Sequence, residues 1–514
     1  MVRNGVRFVR RGRIVERSEF APTETLLDYL RIHERAHGTK EGCAEGDCGA
    51  CTIALGRLDD DGRVSYQPVN SCILLTGMID GAEIVTVEDL ASSNDRLHPV
   101  QRSMVEFHGS QCGFCTPGFV MSLFTLYHTG KRAVRSTVND WLAGNLCRCT
   151  GYRPIADAAL ASCTGEADDA FTERVTETAG FLARLCDDAD VLAGDDESFF
   201  AAPASEDALA ALCARYPDAT IVGGATDVGL WITKQLRELP RIVHTGRVAS
   251  LHEVRELDDR VEIGAAATYT EAEAALGRID PDIGEMLRRL GSKQVRTTGT
   301  VGGNIANGSP IGDSPPVLIA LGATIELRHG EVRRTLALED FFLDYGRQDR
   351  ALGEILTRIT VPKLGEGEHF RCYKISKRFD QDISAVLGAF RFCIRRGRVV
   401  DARIVYGGMA ATPKRAPAAE RAVTGLRLRD PASWPAAAQA LAEDFSPIDD
   451  HRASAAYRMR VARSLLLKAL TEIAGRPTTL TRITGIRAGE HHGTGRTAST
   501  VGTRVRTLPP EPLR

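Results

Sequence analysis

The first part of the chain has short alternating patterns that predict strands. Over residues 1–90, apolar and polar positions alternate in runs separated by turn-forming residues. Arg7–Val15 has this pattern around Arg11-Gly12, which predicts a hairpin that turns at that dipeptide. Thr25–Ala36 differs, because its leucines are spaced as on one face of a helix. We therefore expect a small domain of strands, turns and one helix.

Helical spacing dominates residues 91–165. Thr116 is predicted to cap a first helix, and Pro117 suits its first turn. A second helix is predicted to begin at Ser136-Thr137, and a third after Pro154. The apolar face of the first helix consists of Phe119, Val120, Leu123, Phe124 and Tyr127.

The remaining chain divides into four stretches. Residues 166–195 are acidic and lack a clear period, apart from a possible short helix near Phe181–Leu185, which predicts a linker between two halves. Residues 196–365 alternate helical patterns with short β-rich runs. Residues 366–475 show strands followed by helices, the last over Tyr457–Ile473. The tail 476–514 has few bulky apolar residues and is predicted to be disordered.

Composition narrows the class of protein. Charged residues make up 26% of the chain and hydrophobic residues 43%, with a net charge of −2. These values are typical of a soluble globular protein. The small net charge gives no overall electrostatic field that would indicate binding to nucleic acid or to a membrane. No apolar run is long enough to span a bilayer, and the N-terminus does not resemble a secretory signal. We expect a cytoplasmic protein.

The cysteines are the first indication of chemistry. The chain has thirteen, and eight of them lie between residues 43 and 149 in tight, irregular spacings. Without an export signal, such groups usually bind metal rather than form disulfides. The other five are predicted to be small buried hydrophobes. They are Cys163, Cys186, Cys213, Cys372 and Cys393.

The first cysteine group has the spacing C-x4-C-x2-C with a fourth cysteine further on. It consists of Cys43, Cys48, Cys51 and Cys72. This is the plant-type ferredoxin spacing, and four thiolates suit two irons bridged by sulfide. Glycines in the loop let the backbone curl and aim N–H groups at the sulfurs. Zinc is the alternative, although zinc motifs favour paired C-x2-C units.

The second group combines C-x2-C before the first predicted helix with C-x-C after the second. It consists of Cys112, Cys115, Cys147 and Cys149. By spacing alone, this group fits either an iron–sulfur cluster or a zinc ion.

Two glycine-rich stretches, Ile221–Val228 and Thr297–Asn307, predict a phosphate site. Paired glycines expose N–H groups and remove Cβ bulk, so a pyrophosphate can lie against the chain. Thr226 and Thr300 can add hydroxyl donors. Neither stretch is G-x-G-x-x-G, so a Rossmann domain is not indicated. Two plain tight turns are the alternative.

The stretches Gln111–Gly118 and Gly144–Tyr152 resemble signatures of the molybdenum hydroxylase family, which includes xanthine dehydrogenases and aldehyde oxidases. All eight ligand positions match. The resemblance implies a multidomain α+β fold. It would comprise a β-grasp plant-type ferredoxin domain (1–90) and a four-helix [2Fe–2S] domain (91–165). A two-part α+β FAD-binding domain of the vanillyl-alcohol-oxidase/CO-dehydrogenase flavoprotein type (196–365) and an α/β C-terminal subdomain (366–475) would follow.

The resemblance also implies FAD-contacting positions. They are Ile221, Val222, Gly223, Gly224, Ala225, Thr226, Asp227, Val228, Leu290, Thr300, Val301, Gly302, Gly303, Asn304, Asp313, Leu356 and Lys374. A lysine near the flavin would favour an anionic reduced flavin, whereas the alternative is a solvated surface lysine. In the family, the loop Lys374–Ile383 lies beside the flavin and helps decide whether NAD can approach. Arg378 and its acidic neighbours either contact NAD or form a surface ion-pair network.

The fused order of these domains is similar to the small subunit of bacterial xanthine dehydrogenases. That likeness implies a large molybdopterin-binding partner in an (αβ)2 heterotetramer. Electrons from hypoxanthine or xanthine oxidation to urate, in purine catabolism, would pass through two [2Fe–2S] clusters and FAD to NAD. No catalytic residue is predicted on this chain. The alternatives are a subunit of an aldehyde- or N-heterocycle-oxidising hydroxylase, a stand-alone NADH-oxidising reductase, and a zinc-stabilised scaffold.

Overall fold

The computed structural model describes residues 1–91, 96–478 and 481–482. Over this part of the chain, the fold is a multidomain α+β arrangement of five sheets with helices packed against them. The first cysteine group lies in a β-grasp domain, the second in a helical domain and the glycine-rich stretches in a flavin-type domain.

A mixed five-stranded sheet forms the β-grasp domain. Arg11-Gly12 has φ angles of 50° and 69°, so the hairpin turns where the sequence predicts it. The predicted helix is confirmed as two consecutive helical segments, Leu26–Asp28 and Tyr29–His33. In spatial order the strands are Arg13–Arg17, Val6–Arg10, Glu83–Val85, Thr52–Leu58 and Val64–Asn70. Single 3₁₀ turns cover Thr76–Ile79 and Val87–Asp89.

Four helices form the next domain. They are Pro99–Glu106, Thr116–Tyr127, Arg135–Leu142 and Arg153–Ser162. The second is buried nearly all round, because one face packs on the β-grasp sheet and the other on its neighbours. The predicted cap at Thr116 was wrong. The N–H of Phe119 already donates to the carbonyl of Cys115, so Cys115 takes the cap position and Thr116 is helical.

The stretch 166–195 contains helices and a strand, so it is not an unstructured linker. Its main helix, Val175–Leu185, places Leu182 and Leu185 against Val9 of the β-grasp sheet. The short helix predicted near Phe181–Leu185 is confirmed and begins six residues earlier, because only a narrow face with few apolar residues is buried in its first turns. The other elements of the stretch are Ala170–Glu173 and Asp190–Gly194.

Two five-stranded sheets organise the flavin-type domain. The first takes in the start of the chain, with strands in the order Val2–Arg3, Asp190–Gly194, Phe199–Ala202, Arg241–His244 and Thr220–Val222. The second is antiparallel, with the order Val254–Glu256, Arg260–Gly264, Ile355–Pro362, Thr324–His329 and Val332–Ala337. A hairpin joins Phe342–Asp344 to Arg347–Gln348. The helices are Glu206–Arg215, Val228–Thr233, Ala249–Leu251, Tyr269–Ile279, Pro281–Arg288, Lys293–Thr298, Val301–Asn307, Ser314–Leu321 and Leu338–Phe341.

The β-grasp and flavin-type sheets share one apolar cluster. Phe8 and Ile84 of the first pack with Val191, Phe200 and Ile242 of the second. The two sheets therefore form a continuous core rather than two separate bodies.

A four-stranded antiparallel sheet and helices form the C-terminal subdomain. The strands are Glu368–Ile375, Val386–Arg395, Arg398–Gly407 and Lys414–Arg415. The helices are Pro417–Val423, Pro431–Ser433, Trp434–Gln439, Leu441–Asp444 and Ala455–Ile473. The last confirms the predicted final helix. None of the helices in the described ranges combines the length and apolar character that a membrane span requires.

The start of the predicted disordered tail is docked. Thr478 is buried, and Arg482 forms ion pairs with Asp282 at 2.7 Å and Glu472 at 2.8 Å. Two buried carboxylates need a cation there, which composition could not indicate. Residues 479–480 and 483–514 of the tail lie outside the described residues.

Candidate functional site

The first cysteine group meets at the loop of residues 42–51. Cys51 and Cys72 are buried, whereas Cys43 and Cys48 are half-buried. Hydrogen bonds from the thiols of Cys48 and Cys72 hold the pKa of Cys43 below its ordinary value. The four predicted ligands therefore form one soft donor set, which fits a [2Fe–2S] cluster.

Backbone N–H groups surround the sulfur of Cys43. Those of Asp47 and Cys48 donate to it at 3.3 Å, and that of Glu45 at 3.5 Å. The curl requires Gly46, whose φ is 77°. Hydrogen bonds of this kind stabilise negative charge on sulfur and tune the potential of a bound cluster.

The second cysteine group lies at the molecular surface. Cys112 and Cys149 are exposed, and Cys115 and Cys147 are half-buried. Burial, together with a hydrogen bond to the Cys147 thiol, raises the pKa of Cys115 to about 12. A second thiol contact joins Cys112 to Cys149. These residues also form one donor set, held by the loops before one helix and after another.

Apolar side chains border the second group. Phe114 is 48% exposed, Tyr152 is 43% exposed and Leu146 is 39% exposed. The N–H of Cys147 donates to the Tyr152 hydroxyl at 3.0 Å, which holds the ring beside the ligand loop. An apolar patch of this kind is typical of an interaction surface.

A hydrogen bond joins the two ligand loops. The N–H of Leu146, next to Cys147, donates to the carbonyl of Cys48 at 3.0 Å. The Nδ2 of Asn145 donates to the carbonyl of Gly49 at 3.1 Å. Two consecutive residues of the second loop thus contact the first loop directly.

Gln294 extends this junction to the flavin-type domain. Its Nε2 lies 3.0 Å from Asn145 Oδ1, 3.1 Å from Ser122 Oγ and 3.3 Å from Thr52 Oγ1. All four side chains are buried. Three domains therefore meet at one polar cluster beside both cysteine groups.

The two glycine-rich stretches contact each other. A Cβ at Gly223 would lie 2.6 Å from Thr300 Oγ1, and one at Gly224 would overlap the carbonyl of Thr298. The Thr300 hydroxyl accepts a hydrogen bond from the N–H of Gly303 at 3.0 Å. Close approach of the two loops, rather than turn formation alone, requires glycine at Gly223 and Gly224.

A cavity of about 490 Å³ opens beside these loops. Gly223, Gly224, Thr298 and Thr300 line one wall, and residues of the β-grasp sheet, including Arg57, line the other. Backbone N–H groups, hydroxyls and an arginine suit a diphosphate, so the residues present fit FAD.

Lys374 and Asp313 form a buried ion pair. Lys374 is 7% exposed, which excludes the alternative of a solvated surface lysine. The Ser384 hydroxyl donates to Asp313 at 2.6 Å, and Ser314 donates to Asn304 at 2.9 Å. This chain of contacts connects Asp313 with the second glycine-rich stretch.

The other predicted flavin positions are spread over strands, turns and helix starts. Leu356 is buried in the core of the antiparallel flavin sheet, and Leu290 packs against that core. Burial raises the pKa of Asp227, and Ala225 has a φ of 58°. The remaining positions are Ile221, Val222, Thr226, Val228, Val301 and Gly302. A role in binding FAD stays a prediction for each of them.

Three family models match consecutive parts of the chain. Residues 86–160 match the [2Fe-2S] binding domain. Residues 196–364 match the FAD binding domain in molybdopterin dehydrogenase, and residues 371–473 match the CO dehydrogenase flavoprotein C-terminal domain. The chain belongs to the molybdenum hydroxylase family. It corresponds to the iron–sulfur and FAD-binding portion of that family, a class of oxidoreductases.

Molybdenum hydroxylase relatives align over most of the chain. Xanthine dehydrogenase of Drosophila subobscura is 32% identical over 466 residues, covering 80% of this chain and 35% of that protein. Xanthine dehydrogenase/oxidase of Gallus gallus is 30% identical over 477 residues, covering 79% and 35%. The chain spans about a third of the length of the curated relatives it matches.

Solved structures support the flavoprotein fold. Reconstituted CO dehydrogenase from Oligotropha carboxidovorans matches with a TM-score of 0.51 and 27% identity, over 55% of this chain and 99% of that chain. A carbon monoxide dehydrogenase from Hydrogenophaga pseudoflava matches with a TM-score of 0.50 and 27% identity, over 53% and 95%.

In this molybdenum hydroxylase chain, the loop after Lys374 contacts the first ligand loop. Gln381 Nε2 donates to the carbonyl of Asp47 at 2.7 Å. Arg378 lies 3.9 Å from the carboxylate of Asp382, which also accepts the Arg378 N–H at 2.8 Å. These contacts favour the ion-pair interpretation of Arg378, and a contact with NAD stays a prediction.

Sequence reasoning missed several residues of the site. Asn145 and Gln294 join the domains, and Arg57, His244 and Ser384 lie beside the predicted flavin positions. Asn145 lies in the signature stretch Gly144–Tyr152, which could have marked it, whereas the other four carry no local motif. The prediction for Cys186 was wrong, because its side chain is exposed at a helix end, and Cys393 is half-buried.

His98, His128 and Asp169 also come together, within metal-ligating distance. Asp169 lies 2.6 Å from His98 Nε2 and 2.9 Å from His128 Nε2. The N–H of Val100 donates to His98 Nδ1 at 3.2 Å, so neutral His98 carries its proton on Nε2 and has no lone pair there for a metal. The cluster instead attaches the stretch 166–195 to the helical domain.

Proposed function

We propose that this chain is the electron-transfer subunit of a xanthine dehydrogenase. It would pass electrons from a molybdenum-bearing partner through two [2Fe–2S] clusters and FAD to NAD⁺. The observation that carries the proposal is the junction of two four-cysteine groups by the Leu146–Cys48 hydrogen bond, beside the contacting glycine loops. Relatives named xanthine dehydrogenase support the choice of substrate.

Each ligand set has a defined task in this proposal. Cys43, Cys48, Cys51 and Cys72 would hold the inner cluster, and Cys112, Cys115, Cys147 and Cys149 the outer one. The glycine loops would hold the FAD pyrophosphate, and Lys374 would lie near the flavin. When bound, iron–sulfur clusters transfer single electrons, whereas flavin also exchanges hydride with NAD.

The surface around the outer cysteine group supports a partner. Phe114, Leu146 and Tyr152 are exposed there, next to Cys112 and Cys149. A large molybdopterin-binding subunit in a cytoplasmic (αβ)2 assembly would cover this face. The predicted domain boundaries, 1–90, 91–165, 196–365 and 366–475, are part of the same proposal.

A second candidate is the equivalent subunit of another molybdenum hydroxylase. The structural likeness to CO dehydrogenases favours it, because the substrate site of such an assembly would lie on the partner. The same ligand sets would serve either assembly. A stand-alone NADH-oxidising reductase is less well supported, since it offers no use for the exposed apolar face.

The first test is iron, zinc and flavin analysis of the purified chain with its visible spectrum. We expect about four irons and one FAD per chain and a red-brown colour bleached by dithionite. Zinc without flavin would contradict the proposal. With the molybdenum partner added, NADH formation from xanthine, compared with an aldehyde and an N-heterocycle, separates the two candidates.

A further inference from the structure

The cavity beside the glycine loops is built by two domains. Leu55, Arg57 and Gln67 of the β-grasp sheet face it from one side, opposite Gly223 and Gly224. The apolar cluster shared by the two sheets holds these walls together. A ligand in this cavity would therefore touch the β-grasp domain as well as the flavin-type domain.

Arg57 presents a fixed cation to the cavity. Its guanidinium donates to the carbonyls of Asp80 and Met78, each at 3.1 Å, which sets its orientation. Within the described ranges, no carboxylate forms an ion pair with it, and Asp80 is already paired with Arg3 and Arg247. Arg57 is exposed toward the cavity, and the atoms packed around its guanidinium partly desolvate it, which lowers its pKa.

Among the other titratable groups of the lining, Glu271 attracts the charge of Arg57 without forming an ion pair with it. Glu271 accepts the N–H of Thr268 at 2.6 Å and lies 3.6 Å from His252. Asp59 and Asp60 are exposed at the hairpin turn. His244 is neutral near pH 7, because burial lowers its pKa to about 4. The cavity thus has one cation with no ion-pair partner in the described part of the chain, opposite Gly223 and Gly224, and this arrangement suits an anion.

We propose that Arg57 of the β-grasp domain binds a phosphate group of FAD and thereby makes that domain part of the flavin site. The inference rests on the proposed FAD site at Gly223 and Gly224. It assigns to a cluster-binding domain a direct share in flavin affinity. Two hydrogen bonds to backbone carbonyls already fix the guanidinium. It can therefore donate two further N–H groups to a phosphate with little additional loss of side-chain freedom.

The test measures FAD binding to flavin-stripped full chain with its clusters intact, by quenching of FAD fluorescence. We expect Arg57→Gln to weaken binding about tenfold or more, the loss typical of a charged hydrogen bond, and Arg57→Lys to weaken it less. Arg63→Gln, at the exposed turn of the same hairpin, is the matched control. ADP should compete with FAD on the unaltered chain and lose most of that ability on Arg57→Gln.

The outcomes separate this inference from the proposed function. Equal FAD affinity of the Arg57→Gln and Arg63→Gln chains, with unchanged unfolding midpoints, overturns the role of Arg57 and leaves the flavin site in place. An unaltered chain that binds no FAD overturns both. A fall in affinity accompanied by loss of cluster absorbance in Arg57→Gln, but not in Arg57→Lys, would mean a structural role and also overturn the inference.

Discussion

The two cysteine groups have the same number of thiols and very different surroundings. The first is enclosed, because the helical domain, the flavin-type domain and the loop after Lys374 each donate a hydrogen bond to a carbonyl of its ligand loop. The second is bordered by exposed Phe114 and Tyr152. Enclosure fixes the inner ligands from three sides, whereas exposure leaves the outer ligands accessible to another protein.

This difference predicts a division of effects. Changes near the inner group should disturb ligand binding, folding and domain contacts together, since the same backbone serves all three. Changes near the outer group should alter its own ligand or a partner and leave the remaining fold intact. The following predictions test that division, beginning with the variants that should change the protein most.

Serine substitution of one ligand in each group should separate them most clearly. We expect Cys43→Ser to abolish one of two EPR signals and to lower the unfolding midpoint, because the Cys43 sulfur accepts three backbone N–H groups. Cys149→Ser should abolish the other signal with little change in the midpoint, since Cys149 is exposed. Two intact signals in either variant would contradict the ligand assignment.

A single methyl group at Gly224 should remove FAD. The added Cβ would overlap the carbonyl of Thr298, so the loops must separate. We expect Gly224→Ala to lose most of its flavin and to keep its iron. The control is Gly180→Ala, where an added Cβ meets nothing within 4 Å. If Gly224→Ala still binds one FAD per chain, this loop does not hold the FAD pyrophosphate.

The cavity should make stability depend on pH through His244. Burial holds its pKa at about 4, below the value of about 6.5 in an unfolded chain. The unfolded chain therefore binds the proton first as the pH falls, and stability present above pH 6.5 is lost down to pH 4, by about 1.4 kcal/mol per unit. Denaturant unfolding across this range measures the slope of the unfolding free energy against pH. We expect that slope to be smaller in His244→Gln and unchanged in His37→Gln, an exposed control.

Loss of the Gln294 amide should weaken the contact between three domains. In Gln294→Leu, Asn145 and Ser122 still bond to each other at 2.7 Å, so only part of the polar cluster is left unsatisfied. We expect a cost of about 1–3 kcal/mol in unfolding free energy. Gln439→Leu, on an exposed helix position, should cost little. Equal stabilities of the two variants would show that the junction is not held by Gln294.

The exposed face should contribute to binding and not to folding. We expect Phe114→Asp to leave the stability of the isolated chain within about 0.5 kcal/mol and to weaken association with a molybdenum-bearing subunit. Ile448→Asp is the matched control, since Ile448 is 71% exposed in another domain. Pull-down or analytical ultracentrifugation would measure the difference. Undiminished association of Phe114→Asp would exclude this face as the interface.

Residues close together in the chain specify the local parts of this protein. The spacing of eight cysteines set the donor groups, the leucine pattern set the first helix, and paired glycines marked the two loops. These features depend on residues close together in the chain, where geometry follows from backbone period and reach. The local prediction failed at Thr116, because Cys115 accepts the first helical hydrogen bond and takes the cap position. It also failed at Cys186, because this cysteine lies exposed at a helix end rather than buried.

The packing of the domains determines which cysteine group is enclosed and which other residues enter the site. Gln294 reaches Thr52 across 242 positions, and Arg57 faces Gly223 from another domain. Arg482 and Lys374 are buried because carboxylates far away in sequence lie beside them. Burial and charge pairing are properties of contacts between distant segments, so no local pattern can encode them before the chain is packed.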